Sequence, residues 1–309
     1  MTAVAEKRSD VLYVKMLGGF SMSYNGKTIA GSSKASISQN NALLQILIHA
    51  REKGVTRDRL EELLFGDREV DNAHHSLRSV IYNAKKYLEK VGLPKVNYII
   101  SEKDVFYWTS EIEVEEDACE FEKMHQMAEE ESDPEKKLES YLKASYEYGG
   151  EFLPMQSGNV WAVRESMRYE KLFADCVENA SRLLREKQDF DRMKELGQYA
   201  AAIAPLSDWE SLTMEALVRL RRYDEAVRFY ECTVNYYLDE LGVHPSGKIL
   251  EWFEHLGKNV NHQHTMLEDI VDVLDGDDSD HTGGYFCSYP VFQGIYRSNR
   301  RLEIGRAHV

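Results

Sequence analysis

Residues 72–90 read NAHHSLRSVIYNAKKYLEK. Ala73, Leu77, Val80, Ile81, Ala84 and Leu88 recur at helical spacing and form one apolar face. His75, Arg78, Ser79, Tyr82, Asn83 and Lys86 fall on the other. The stretch carries four Lys/Arg against one Glu. Entry into a DNA major groove asks for both faces. The apolar back seats the helix on a scaffold, and the polar front meets phosphates and base edges. Periodicity alone leaves a second reading open, in which the polar face of a small α/β core simply meets water.

The flanks decide what kind of scaffold this is. Upstream, residues 41–50 (NALLQILIHA) place Leu43, Leu44, Leu47 and Ile48 on one helical face, and Gly54 stops that helix. Thr56 is placed to cap a second helix, with Leu60, Leu63 and Leu64 as its buried stripe and Gly66-Asp67 at its end. Before them, residues 11–17 and 20–24 read as short strands broken by Gly18-Gly19. Asn25-Gly26 signals a hairpin turn, and residues 28–30 would close a small antiparallel sheet. Downstream, residues 97–100 and 105–109 alternate around 101–104, which reads as a second hairpin. Strands, three helices and a closing hairpin is the order of a winged helix-turn-helix.

On this reading Arg78, Tyr82 and Asn83 face the groove, Lys85 and Lys86 lie near phosphates, and His75 and Ser79 share their surface. Arg57 and Lys103, beside the second helix and in the hairpin, complete the candidate DNA-binding set. His74 and His75 open the helix, where phosphate contact or solvent exposure fits better than catalysis.

Residues 14–24 (VKMLGGFSMSY), 55–65 (VTRDRLEELLF) and 72–88 resemble the OmpR/PhoB-type DNA-binding domains found in the Streptomyces antibiotic regulatory protein (SARP) family. This chain has Phe65 where that family usually has Trp. It also has fewer arginines in the recognition helix, and Phe106-Tyr107 where a Gly-Tyr pair is usual in the wing.

Beyond residue 110 the composition shifts. Residues 1–110 hold 16 Lys/Arg and 12 Asp/Glu, whereas residues 111–309 hold 22 and 41. The formal charge of −15 is therefore a basic segment joined to a strongly acidic one. Residues 111–122 (EIEVEEDACEFE) contain no Lys or Arg and read as a solvated connector running into a helix. In that helix Cys119, Phe121, Met124, Met127 and Ala128 would share an apolar stripe. Asp133-Pro134 marks a turn, residues 138–148 and 160–186 read as helices, and Gly149-Gly150 separates them.

An internal repeat follows. Leu183-Leu184 recurs as Ala216-Leu217 and Phe190-Asp191 as Tyr223-Asp224, both at an offset of 33 residues. That period predicts stacked helix pairs of the tetratricopeptide type, with most of Tyr199, Trp209, Tyr223, Phe229, Tyr230, Tyr236 and Tyr237 in the core. An unrelated helical bundle is the alternative. The stretches DACEF (117–121), YGGEFLP (148–154), APLSDWE (204–210), RYDEAVRFY (222–230) and LDELGVHP (238–245), with Trp161, resemble the bacterial transcriptional activator domain. In SARP-type regulators that domain follows the winged helix directly. The resemblance implies a sequence-specific DNA-binding activator that often binds direct repeats and contacts RNA polymerase; the modest positive charge of residues 1–110 separately asks for a homodimer or side-by-side binding on repeats.

The expected fold class is thus mainly α with a small β component. The expected organisation is a flexible N-terminus (1–10), a winged helix-turn-helix domain (11–110) and an all-α tetratricopeptide-like activator domain (111–260). An acidic linker (261–284) and the start of a further module (285–309) follow. Residues 304–309 (IGRAHV) read as a non-native ending of a truncated chain. The crowded Asp275, Asp277, Asp278 and Asp280 lack the spacing of a calcium loop, and His262 and His264 do not share a helix face. No phosphate loop, GxSxG or HExxH motif occurs, so no enzyme, cofactor or metal is expected. The four cysteines, more than 50 residues apart, read as buried free thiols. With no signal-like segment and no run of 18 apolar residues, a cytoplasmic protein is expected. The competing functions are a helical-repeat interaction scaffold and the regulatory half of a truncated signalling protein.

Overall fold

The computed structural model describes residues 10–31, 38–66, 72–109, 111–205, 207–240, 242 and 246–263. Cys287, the acidic linker beyond residue 263, the module expected at 285–309 and its ending lie outside the described residues.

The chain opens with β1 (Val11–Lys15), β2 (Ser21–Tyr24) and β3 (Lys27–Ala30), antiparallel neighbours in that order. Asn25 and Gly26 both take positive φ (47° and 73°), as the tight turn requires. Three helices follow: α1 (Gln39–Ala50), α2 (Arg57–Phe65) and α3 (Ala73–Lys90). Each starts on the side chain its sequence supplies. Ser38 Oγ accepts from Asn41 N, Thr56 Oγ1 from Arg59 N, and Asn72 Oδ1 from His75 N. Leu77, Val80, Ala84 and Leu88 bury the back of α3 against a core that includes Leu43, Leu44, Leu47 and Leu60. Full burial of each leucine or valine contributes about 1.5–3 kcal/mol.

The second sheet joins β4 (Val55–Thr56), β6 (Val105–Trp108) and β5 (Ile99–Glu102) in that order. The hairpin is tighter than the sequence suggests. Ser101 and Glu102 pair within β5, leaving only Lys103 and Asp104 as the turn, both at positive φ (47° and 64°).

The acidic stretch after residue 110 is not a solvated connector. Residues Glu113–Glu116 form β7, which adds to β1 in parallel with Leu12 opposite Val114 and Val14 opposite Glu116. Glu116 is fully buried. A carboxylate tolerates that position because cations meet it: His49 Nδ1 at 2.6 Å and Arg51 Nη2 at 3.3 Å. Asp117, the next residue, accepts backbone N–H from Met16 (2.7 Å), Leu17 (3.0 Å) and Ala118 (2.8 Å). Burial pushes its carboxyl up to about 6, although those donors favour the charged form.

Then come α4 (Asp117–Glu130), α5 (Pro134–Glu147), α6 (Val160–Lys187) and α7 (Phe190–Ile203). Phe121 and Ala128 of α4 are buried as expected, but Met127 is exposed and His125 takes an inward position instead. The loop after α5 returns to the first sheet. Gly18 N donates to Glu151 O and Leu153 N to Met16 O, both at 2.8 Å. Gln156 of this segment reaches Gln45 of α1 (2.7 Å, both buried), and Asn159 Nδ2 donates to Leu63 O. By compactness the chain divides between Thr213 and Met214. The winged helix and α4–α7 therefore share one unit.

The remaining helices are α8 (Glu210–Arg219), α9 (Tyr223–Asn235) and α10 (Gly247–Gln263), with a π-type turn at Tyr236–Glu240 between the last two. The 33-residue repeat is carried by backbone geometry. After α6, Gln188 N donates to Arg185 O and Asp189 N to Leu184 O. After α8, Arg221 N donates to Val218 O and Arg222 N to Leu217 O. Gln188 and Arg221 both sit at φ 58°. This is one helix-ending motif used twice, with a left-handed residue in each copy. The expectation that most of the seven repeat aromatics lie in the core is not met: Trp209 and Tyr237 are buried, Tyr199, Tyr223, Phe229 and Tyr230 are half-buried, and Tyr236 is exposed. Of the thiols, Cys176 is buried, Cys119 is half-buried and Cys232 is exposed.

Candidate nucleic-acid interface

The interface is built on α3. Its buried side packs on α1 and α2, and Tyr87 Oη donates to Ile29 O, tying the helix to β3. With the back fixed, His75, Arg78, Ser79, Tyr82, Asn83 and Lys86 are all exposed. They recur at intervals of three and four residues, so they share one continuous face. Tyr82 is 59% exposed, unusual for a ring of that size. Lys86 Nζ lies 5.0 Å from its ring centroid, which keeps the ammonium over the helix face. Ser79 Oγ donates back to His75 O. Arg78 and Lys86 make no ion pair with any described residue.

Lys85 is half-buried beside this face and donates to Asn97 Oδ1 at 3.0 Å, just ahead of β5. Lys103 is exposed at the hairpin tip. Behind the tip, Tyr98 packs on Trp108 with ring centroids 5.4 Å apart, and Thr109 N donates to Tyr98 O. These contacts stiffen the base of the wing.

Arg57 has a different setting from the rest of the expected set. Its Nη2 meets Asp104 Oδ1 at 2.6 Å, and its Nη1 lies about 3 Å from the His74 ring nitrogens. Its backbone N–H donates to Asp104 O at 2.8 Å. One side chain thereby connects the start of α2, the turn of the wing and the first turn of α3. Glu61 Oε1 stands 3.4 Å from His74 Nδ1. Sequence reading did not anticipate the roles of His74 and Asp104 in this clamp. The available signal was the Val55-Thr56 pair before α2, which pairs with β6 and brings the wing to Arg57.

Residues 117–256 match the family model of the bacterial transcriptional activator domain. Among solved structures, the chain is similar to EmbR of Mycobacterium tuberculosis, determined in complex with a low-affinity phosphopeptide. The TM-score is 0.53 at 16% identity, over 85% of this chain and 71% of that one. No curated protein matches the chain. The family match and the structural similarity together show a mainly helical fold in which short strands and three helices precede a bacterial transcriptional activator domain. Among the described residues, no helix is long and apolar enough to cross a membrane.

Proposed function

We propose that this chain is a cytoplasmic, sequence-specific DNA-binding transcriptional activator. The observation that carries the reading is the single exposed face of α3 formed by His75, Arg78, Ser79, Tyr82, Asn83 and Lys86. Arg78, Tyr82 and Asn83 meet base edges in the major groove. Lys85, Lys86 and His75, with Lys103 on the wing, meet phosphates. Arg57 serves this surface by holding the wing against α2 and α3. The winged helix spans 11–110 and the activator domain 111–260. The latter contacts RNA polymerase or a second protomer bound to an adjacent repeat.

Few cationic contacts per protomer give modest affinity, which favours paired sites. Acidity beyond residue 110 opposes nonspecific association with DNA and leaves recognition to one small surface. Selection from a random duplex pool with the full chain tests the proposal. It should enrich one short motif, with binding that weakens steeply with salt. Three lysine–phosphate contacts per protomer correspond to a log–log slope of about −2.7. An unenriched pool with no salt-dependent binding overturns the DNA reading and leaves the helical-repeat scaffold.

A further inference from the structure

The segment after Met214 has a core of its own. Met214, Leu217, Val218, Ala226, Ile249 and Phe253 are buried together, and Tyr230 stacks on Phe253 with centroids 3.9 Å apart. Beside this core lies a cavity of about 450 Å³, lined by Val218, Arg219, Arg221, Tyr223, Trp252 and His255.

Its lining runs against the local composition. Residues 111–309 hold 41 carboxylates and 22 Lys/Arg, yet no carboxylate is among the lining residues described. The contrast with the adjacent arginine is direct. Arg222 Nε and Nη2 grip the two oxygens of Glu225 at 2.8 and 2.7 Å. Arg219 and Arg221 make no ion pair with any described residue. Instead the Arg219 guanidinium lies 5.7 Å from the Trp252 ring centroid, and Trp252 lies against the His255 ring at 5.6 Å.

We propose that this cavity binds, as an effector, a phosphate monoester that carries an aromatic ring. A guanidinium stacked on a ring keeps its in-plane N–H donors available, and that fork matches the oxygens of a phosphate. Arg219 over the Trp252 ring and Arg221 beside it in the lining together supply the charge that a phosphate dianion needs. Tyr223, Trp252 and His255 offer flat surfaces to the ligand's ring, over the apolar side chain of Val218. The volume lies in the range of small-molecule sites. Nucleotides and phosphotyrosine are the two sources of this chemistry.

The test is calorimetric titration of the full chain with adenosine monophosphate and, separately, with free phosphotyrosine. Adenosine, tyrosine and inorganic phosphate serve as half-ligands. One phosphorylated compound should bind saturably with Kd below about 1 mM, and its half-ligands at least about tenfold more weakly. Which compound binds identifies the source. The double variant Arg219→Ala/Arg221→Ala should lose at least about tenfold in affinity with its thermal transition unchanged. Should that variant fail to fold, Arg219→Gln/Arg221→Gln keeps longer side chains and is held to the same loss. Absence of saturable binding by both phosphorylated compounds, or wild-type affinity in the folded variant, overturns the site.

Discussion

His49 Nδ1 lies 2.6 Å from Glu116 Oε1, across 67 residues of sequence. The pair joins the end of α1 to the strand that opens the helical segment. Phe152, Trp161 and Tyr169 surround the His49 ring, with centroids 5.1, 5.8 and 6.1 Å away. Its Nε2 faces Glu165 at 3.8 Å, and Arg168 Nε donates to that carboxylate at 2.8 Å. The winged helix is therefore held to the helices by buried charge as well as by packing.

This pair makes stability depend on pH in a defined direction. Burial works against an imidazolium, but hydrogen bonds with Cys119, Glu116 and Glu165 outweigh it and push His49 up to about 11, from its ordinary 6.5. The bond to His49 also leads the causes that hold Glu165 down to about 2. A histidine raised in the folded state contributes fully below its unfolded value, and that contribution is lost as pH rises through its folded value. Urea unfolding midpoints should decline from about pH 7 to about pH 10 more steeply in the wild type than in His49→Gln. Equal slopes would rule out a charged His49. Glu116→Gln, which leaves the cation without its buried partner, should cost about 3 kcal/mol at neutral pH.

Backbone contact at the same junction gives a second expectation. Gly18 has φ +71°, and a Cβ there would stand 2.1 Å from Gly149 O. Its N–H also donates to Glu151 O. Neither backbone can yield without parting the first sheet from the loop after α5. Gly18→Ala should destabilise the chain by about 2 kcal/mol or more, through clash and left-handed strain together. Gly26 also has positive φ (73°), but a Cβ there meets nothing within 4 Å. Gly26→Ala should show strain alone, about 1 kcal/mol. Chemical denaturation of the two variants separates the effects.

Much of this architecture was legible in the sequence, for reasons that differ by element. Helix α3 announced itself because five turns of one amphipathic period follow a capping Asn72. The helix pairs were visible because Phe190 and Tyr223 repeat at the spacing that the backbone motif at Gln188 and Arg221 enforces. Strand β7 was hidden because its buried end residue is Glu116. No period-2 apolar pattern marks such a strand, and the cations that make it tolerable come from His49 and Arg51, far back in the chain. The setting of Arg57 was hidden for the same reason. The sequence places Arg57 in the candidate DNA-binding set, and only the fold brings Asp104 to it across 47 residues. The exposed face of α3 could be read from spacing, whereas the clamp that orients it could not.

The clamp leads to a prediction about a residue one step behind the surface. Arg57→Ala removes the bonds to Asp104 and His74 together, although the backbone bond from residue 57 to Asp104 O survives. Asp104→Ala removes the ion pair alone. Asp104 is largely exposed (75%), so the pair itself contributes little to global stability, about 0–1 kcal/mol. The effect should appear in orientation instead. Both variants should fold with near-wild-type midpoints, weaken duplex binding several-fold, and broaden the NMR signals of Lys103 and His74. In a double-mutant cycle the two losses should fall short of additive. Fully additive losses would mean that Arg57 and Asp104 act separately.

Arg78 and Lys86 share the outer face of α3, and their proposed tasks predict different failures. Arg78 stands mid-face, beside Tyr82 and Asn83, where a guanidinium can fork onto a base edge. Arg78→Ala should cost about 1–3 kcal/mol on the selected motif and relax preference at one base position. Lys86 sits one helical turn beyond Tyr82, with its ammonium 5.0 Å from that ring centroid. Lys86→Ala should weaken selected and unrelated duplexes alike and lower the salt slope by about 1. Anisotropy titrations on matched and scrambled duplexes, at several salt concentrations, resolve the two behaviours. If Arg78→Ala lowers both duplexes equally with no change in base preference, Arg78 binds phosphate, and the base-reading task passes to Tyr82 and Asn83.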